Sequence, residues 1–210
     1  MFPSVYAIID PALIETSPQD FAARLASGGV ELVQLRDKRA PARRMLEESL
    51  ALVDQFASAG LRIIVNDRPD IAAISGAAGV HVGQEDLPVE AARAICGTGR
   101  WVGVSTHNLA QLREAAATSA DYIAVGPIFP TATKQNPDPV VGLDFVREAR
   151  KLTRKPLVAI GGITIESARD VFLAGADSVA VIRDLAVAAD PAQRAREYLE
   201  VARESRSGRD

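Results

Sequence analysis

The chain is poor in the residues that build metal clusters and disulfides: one cysteine and two histidines in 210 residues. Cys96 alone can close no internal disulfide and anchor no cysteine-ligated metal, which fits a reducing, cytoplasmic setting. His81 and His107 are too few for a histidine-rich metal centre, and no Ser-His-Asp order can be argued from them. Apolar runs are short. None approaches the roughly 20 residues of a membrane-spanning helix, and the opening MFPSVYAIIDPALIE lacks the basic start and long apolar stretch of a secretion signal. A soluble cytoplasmic protein is expected, without membrane partners. Positive charge is also limited: 24 Lys and Arg face 27 Asp and Glu, a net charge of −3. A general nucleic-acid surface needs a basic stripe that displaces counterions, so nucleic acid is not an expected partner. An anionic small molecule remains compatible, because a local positive pocket can sit on an acidic protein. Finally, no glycine-rich dinucleotide turn follows the first apolar run: after Asp10 the chain reads PALIETSPQ. Gly97-Thr98-Gly99 lies between a helix and a strand, the wrong order for such a site.

What is present is alternation. Short β-branched runs predict strands at Val5–Asp10, Val30–Asp37, Arg62–Asp67, Gly79–Gly83, Trp101–Thr106, Tyr122–Gly126, Leu157–Gly161 and Ser178–Arg183. Amphipathic segments predict helices starting near Gln19, Ala42, Ile71, Val89, Leu109, Leu143, Ile165 and Ala192. Strict alternation implies parallel strands joined by crossover helices, and eight such units close into a barrel. The expected class is α/β: a single (βα)₈ TIM barrel spanning 1–210, with a frayed tail from about 204. Ala120-Asp121-Tyr122 and Gly175-Ala176-Asp177 each launch an apolar strand, a weak internal echo suited to repeated βα units.

In a (βα)₈ barrel the site is built at strand C-terminal ends and the loops that follow, so those ends carry the candidates. The second strand ends in Gln34-Leu35-Arg36-Asp37-Lys38, where period-two alternation sets Gln34, Arg36 and Lys38 on one side. The third delivers Asn66 and Asp67 and the fourth Asp86. Hard oxygen ligands from two loops suit Mg²⁺, which completes its shell with water and substrate phosphate. The competing structural roles are a helix cap for Asp86 and a turn for Asp67. The fifth strand ends in Ser105-Thr106-His107-Asn108, where Asn108 or Thr106 can cap the next helix. His81, within the fourth strand, is read as a packed hydrogen-bonding residue.

The stretch from Gly126 to Pro139 is a long irregular loop, uncommon in a compact domain unless it binds or covers a ligand. Its Thr131, Thr133 and Lys134 suit a phosphate; a proline-stiffened surface loop is the plainer alternative. The seventh strand ends in Gly161-Gly162-Ile163-Thr164, where the missing Cβ of Gly162 is read as letting phosphate approach backbone N–H groups. The eighth ends in Ile182-Arg183. Loops after strands seven and eight are the recurrent phosphate position in this fold.

QLRDK, NDRPDIA, GVHVGQEDLP, VGVSTHN, GPIFPTATK and AIGGIT occur in one order. Together they resemble the thiamine-phosphate synthase family, from about Val5 to Leu185. The resemblance implies a magnesium-dependent transferase that moves an aminopyrimidine methyl group from pyrophosphate to the nitrogen of a thiazole phosphate, forming thiamine monophosphate. It implies that Gln34, Arg36, Lys38 and Asn66 contact the pyrimidine pyrophosphate, that Asp67 and Asp86 hold Mg²⁺, and that Ser105 and Lys134 face the reacting pyrophosphate. Arg36, Lys38, Ser105 and Lys134 are thus the catalytic candidates. Thr131, Thr133, Gly162, Ile182 and Arg183 match the thiazole-phosphate positions, although the family often has serine where this chain has Arg183. Two rivals stand beside this reading: a thiazole tautomerase-like barrel, and a barrel that binds phosphate without catalysis.

Overall fold

The computed structural model describes residues 2–131 and 138–207. Its strands are β1 (Val5–Ile9), β2 (Leu32–Leu35), β3 (Arg62–Asn66), β4 (Gly79–Val82), β5 (Trp101–Thr106), β6 (Tyr122–Val125), β7 (Leu157–Ile160) and β8 (Ser178–Val181). They close as β1-β2-β3-β4-β5-β6-β7-β8, all pairs parallel. The expected (βα)₈ TIM barrel is therefore observed. Helices α1 (Pro18–Ser27), α2 (Ala42–Phe56), α3 (Pro69–Ser75), α4 (Val89–Cys96), α5 (Leu109–Ala117), α6 (Gly142–Leu152) and α7 (Ile165–Leu173) return the chain between strands, and α8 (Arg183–Ala186) and α9 (Pro191–Ser207) follow the last strand.

Parity along each strand separates two apolar clusters. Val33, Leu35, Ile63, Val65, Val80, Val82, Val102 and Val104 face outward and pack beneath the helices. Tyr6, Ile8, Leu32, Ile64, Tyr122, Ala124, Val158 and Ala180 face inward and fill the barrel. Gly103 belongs to the inner set for a steric reason: a Cβ there would overlap the Tyr122 ring. Local signals set the helix starts. Ser17 caps α1 by accepting from the Asp20 amide at 3.0 Å, with Pro18 at the first helical position, and Asn108 caps α5 through the Gln111 amide at 3.0 Å.

The internal echo acquires a structural meaning at the N-terminal end of the barrel. Asp121 accepts from the Val102 amide at 2.7 Å and pairs with Arg93 of α4. Asp177 accepts from the Leu157 amide at 2.8 Å and pairs with Arg150 of α6. Each aspartate ties the start of its own strand to the preceding strand and to a helix two turns of the pattern back.

Two chain segments differ from the sequence reading. The eighth strand stops at Val181, and Arg183–Ala186 form the short α8; a single turn is too short to show helical periodicity. At the end, α9 continues through Glu204 to Ser207, past the expected start of fraying, with Ser205 buried and Arg206 donating to the Asp177 carbonyl at 2.9 Å.

Candidate active site

The C-terminal ends of β2 to β5 bring most of the expected residues together. Arg36 continues the ladder beyond β2, its amide donating to the Ile9 carbonyl at 2.9 Å. Its guanidinium is held by Asp10, Nη1 to Oδ2 at 2.7 Å. Lys38 reaches across to β3, with Nζ 3.2 Å from Asp67 Oδ2. Asp67 adopts φ +60°, the one non-glycine positive φ among the described residues. Few side chains enter that left-handed region, and such strain gathers where function demands a fixed direction. Its amide donates to the His81 carbonyl at 2.8 Å.

Asp86 lies in the loop after β4 and accepts from the Gly83 amide at 2.8 Å. It does not cap α4, whose N-cap is Pro88 without a side-chain hydrogen bond. Burial pushes the Asp86 carboxyl above the usual carboxylate range; the Gly83 N–H opposes this, the neighbouring Asp67 carboxyl adds to it, and Lys38 opposes it. Two carboxyls thus crowd one another beside a cation. As hard oxygen donors from adjacent loops they fit Mg²⁺ chemistry, and a shell completed by water and substrate phosphate is the usual arrangement for that ion. Among the described residues no group of three or more His, Cys, Asp or Glu could hold a metal by itself.

Beneath this rim runs a buried polar chain that the sequence reading did not assemble. Gln34 Nε2 donates to the Tyr6 hydroxyl at 2.7 Å, and the Tyr6 and Tyr122 hydroxyls lie 2.9 Å apart. Tyr122 lies 3.1 Å from His81 Nδ1, and His81 Nε2 lies 2.8 Å from Ser105 Oγ. Burial pushes both phenols up, so they stay protonated. Burial likewise pushes His81 down to about 4, against the attraction of Asp86, so its ring is neutral near pH 7. His81 is therefore the packed hydrogen-bonding residue its position implied, and it packs directly against the candidate Ser105. The available signal was parity: Tyr6, Gln34, His81, Ser105 and Tyr122 all fall on inward positions.

The opposite half of the rim joins the loops after β6, β7 and β8. The Ile128 amide donates to the Ile160 carbonyl at 2.9 Å and the Phe129 amide to the Gly161 carbonyl at 3.0 Å, so the β6 loop lies along the β7 turn. Gly162 has φ +65°, and a Cβ there would overlap the Pro130 carbonyl. Glycine is thus required here on packing grounds as well: its missing side chain makes room for Phe129 and Pro130. On α8, Asp184 accepts from Arg194 Nη1 at 2.9 and 2.8 Å and from the Tyr198 hydroxyl at 2.8 Å. The same hydroxyl is 3.4 Å from the Ile163 carbonyl, so one α9 side chain pins the β7 and β8 loops together. Arg183 is exposed and makes no ion pair with Asp184, which Arg194 occupies. Thr131 closes the described part of the β6 loop; Thr133 and Lys134 lie outside the described residues.

A closed parallel barrel with its charged and amide groups gathered on the C-terminal rim is the architecture of a (βα)₈-barrel enzyme. The chain belongs to the thiamine monophosphate synthase family, whose profile matches residues 5–185. It is 50% identical over 204 residues to the thiamine-phosphate synthase of Koribacter versatilis, covering 95% of each chain. It is 44% identical over 199 residues to that of Myxococcus xanthus, covering 95% of this chain and 91% of the relative. Among solved structures, thiamine phosphate pyrophosphorylase from Pyrococcus furiosus superposes with a TM-score of 0.87 at 31% identity, covering 96% of both chains. No helix among the described residues is long and apolar enough to cross a membrane.

Proposed function

We propose that this chain is a transferase that condenses 4-amino-2-methyl-5-hydroxymethylpyrimidine pyrophosphate with hydroxyethylthiazole phosphate, giving thiamine monophosphate and pyrophosphate. The observation that carries the reading is the meeting of Lys38, Asp67 and Asp86 at the ends of β2, β3 and β4, with Arg36 fixed by Asp10 on the same strand end as Lys38 and Gln34 and Ser105 at the two ends of the buried chain beneath, in a member of this family. The C–O bond between the pyrimidine methylene and pyrophosphate breaks with its electron pair leaving on oxygen, and the thiazole nitrogen lone pair forms the new C–N bond. That nitrogen carries no proton to lose, so the reaction asks for no general base. The site matches this demand, offering cations and hydrogen-bond donors; where a hydroxyl does meet a base, Ser105 against His81, the far ring nitrogen faces the Tyr122 phenol instead of the carboxylate that would support an imidazolium.

Asp67 and Asp86 are the residues that would hold Mg²⁺, which when bound supplies positive charge against the pyrophosphate oxygens. Arg36, locked by Asp10, and Lys38, beside Asp67, add fixed charge on the same side. Preorganised charge of this kind favours the leaving group most as its negative charge develops. Gln34, Asn66 and Ser105 orient the pyrimidine pyrophosphate, with Lys134 assigned to the reacting pyrophosphate by the family motif. Thr131, Thr133, Gly162, Ile182 and Arg183 are assigned to the thiazole phosphate, on the half of the rim where this fold most often holds phosphate.

The test is to incubate the purified protein with both substrates and Mg²⁺ and identify products by mass. Thiamine monophosphate supports the proposal. Isomerisation of a thiazole carboxylate phosphate without condensation points to the tautomerase-like rival, and binding without any product points to the non-catalytic one.

A further inference from the structure

The buried chain from Gln34 to Ser105 has a directional property that its individual hydrogen bonds do not. Each phenol carries one proton, a neutral imidazole carries one N–H, and the amide nitrogen only donates. Gln34 Nε2 gives to Tyr6, so Tyr6 gives to Tyr122, and Tyr122 gives to His81 Nδ1. A ring whose Nδ1 accepts carries its proton on Nε2, which then gives to Ser105 Oγ. The Ser105 hydroxyl proton is left for a ligand oxygen. The one other consistent arrangement reverses every link: the Gln34 amide turns over, and the Ser105 proton is spent on His81. Mixed arrangements within the chain make one phenol oxygen accept twice and leave its own buried proton without an acceptor, or set like groups against each other, and either is costly.

We propose that Tyr6, Tyr122 and His81 form a proton-ordered chain coupling the sense of the Gln34 amide to that of the Ser105 hydroxyl, with His81 the positioning residue that turns Ser105 O–H outward as a donor. This deepens the proposed function, since it rests on Gln34 and Ser105 facing substrate. It means that the acceptor offered at Gln34 Oε1 and the donor offered at Ser105 are set together, although they stand on β2 and β5. A ligand that engages one end in the right sense finds the other end already in the right sense.

The test reads the ring directly and needs no turnover. The chain has two histidines, so ¹⁵N-histidine labelling with a His107→Asn variant for assignment resolves the His81 tautomer by long-range ¹H–¹⁵N correlation. The expected result is the Nε2–H tautomer in the unmodified enzyme. Gln34→Glu, at a pH where the introduced carboxyl is ionised, places an acceptor-only group against Tyr6 and is expected to switch His81 to Nδ1–H. The same substitution in a Tyr6→Phe background, where the chain is cut, is expected to leave the tautomer as Tyr6→Phe alone sets it. An Nδ1–H ring in the unmodified enzyme, or a tautomer indifferent to Gln34→Glu, overturns the coupling; the first of these needs no variant to fold. For the positioning role, His81→Phe is expected to lower kcat about as much as Ser105→Ala, and the double variant no further. Fully additive losses overturn it. Absence of thiamine monophosphate synthesis with the expected tautomers would instead fault the proposed function.

Discussion

At the scale of single residues, the site divides into charges that the sequence announced and hydrogen bonds that it did not. Gln34, Arg36, Lys38, Asp67 and Asp86 stand at strand ends in short polar runs, and parity alone put the first three on one side. Their partners were not readable in the same way. Asp10 holds Arg36 across 26 positions of chain, and Tyr6, His81 and Tyr122 meet only because the barrel closes. One consequence concerns pH. Because the folded pKa of Asp86 is raised, the folded state holds the proton more tightly than the unfolded chain. In metal-free protein, stability therefore falls as pH rises through the raised value, and Mg²⁺ affinity rises over the same interval. Thermal melts in chelator across the acidic range should show wild-type stability falling with rising pH relative to Asp86→Asn, a variant that should also lack activity. A wild-type trend matching the variant's would contradict the assignment. Asp67→Ala, checked by circular dichroism for an intact fold, should leave less than about 1% of the turnover at any Mg²⁺ concentration. Turnover close to wild type would remove Asp67 from the metal site.

At the scale of elements, the strands and long helices were visible in advance because burial imposes a period on them, whereas α8 was not, having a single turn. Yet α8 and the β7 turn are what carry Gly162, Ile182 and Arg183, and both are fastened by Tyr198 from α9. Tyr198→Phe removes that fastening and keeps the ring. It should raise KM for hydroxyethylthiazole phosphate about five-fold, equivalent to about 1 kcal/mol of lost positioning, with KM for the pyrimidine pyrophosphate unchanged. Equal rises in both constants would argue against separate halves of the rim. The loop after β6 is tested at Lys134. A side chain used in the transition state lowers kcat and kcat/KM together when removed, by about 100-fold or more for a preorganised charge. Lys134→Ala with unchanged kcat would rule out that role, whatever its KM.

At the scale of the whole molecule, the two ends of the barrel do different work. The C-terminal rim collects the crowded carboxyls and the strained Asp67, while the N-terminal end carries the Asp121 and Asp177 clamps. Barrel enzymes commonly separate catalysis from stability in this way. Asp177→Ala, which strips the Leu157 amide and Arg150 of their partner, should cost about 2 kcal/mol and lower Tm by about 4–8 °C. At a temperature where the variant is folded, its kcat should equal that of wild type; a large loss of kcat would show that the ends are not independent. The barrel itself was readable from eight alternations, because closure follows from counting units. The coupling of its rim was not, since it depends on which inward side chains meet after closure. The measurement that tests the account most directly is a single turnover, with enzyme in excess over the pyrimidine pyrophosphate and with saturating thiazole phosphate and Mg²⁺, following both products together. Thiamine monophosphate and pyrophosphate should appear in equal amounts at one rate, and neither should appear in excess chelator. Pyrophosphate released without thiamine monophosphate, or no product at all, would contradict it.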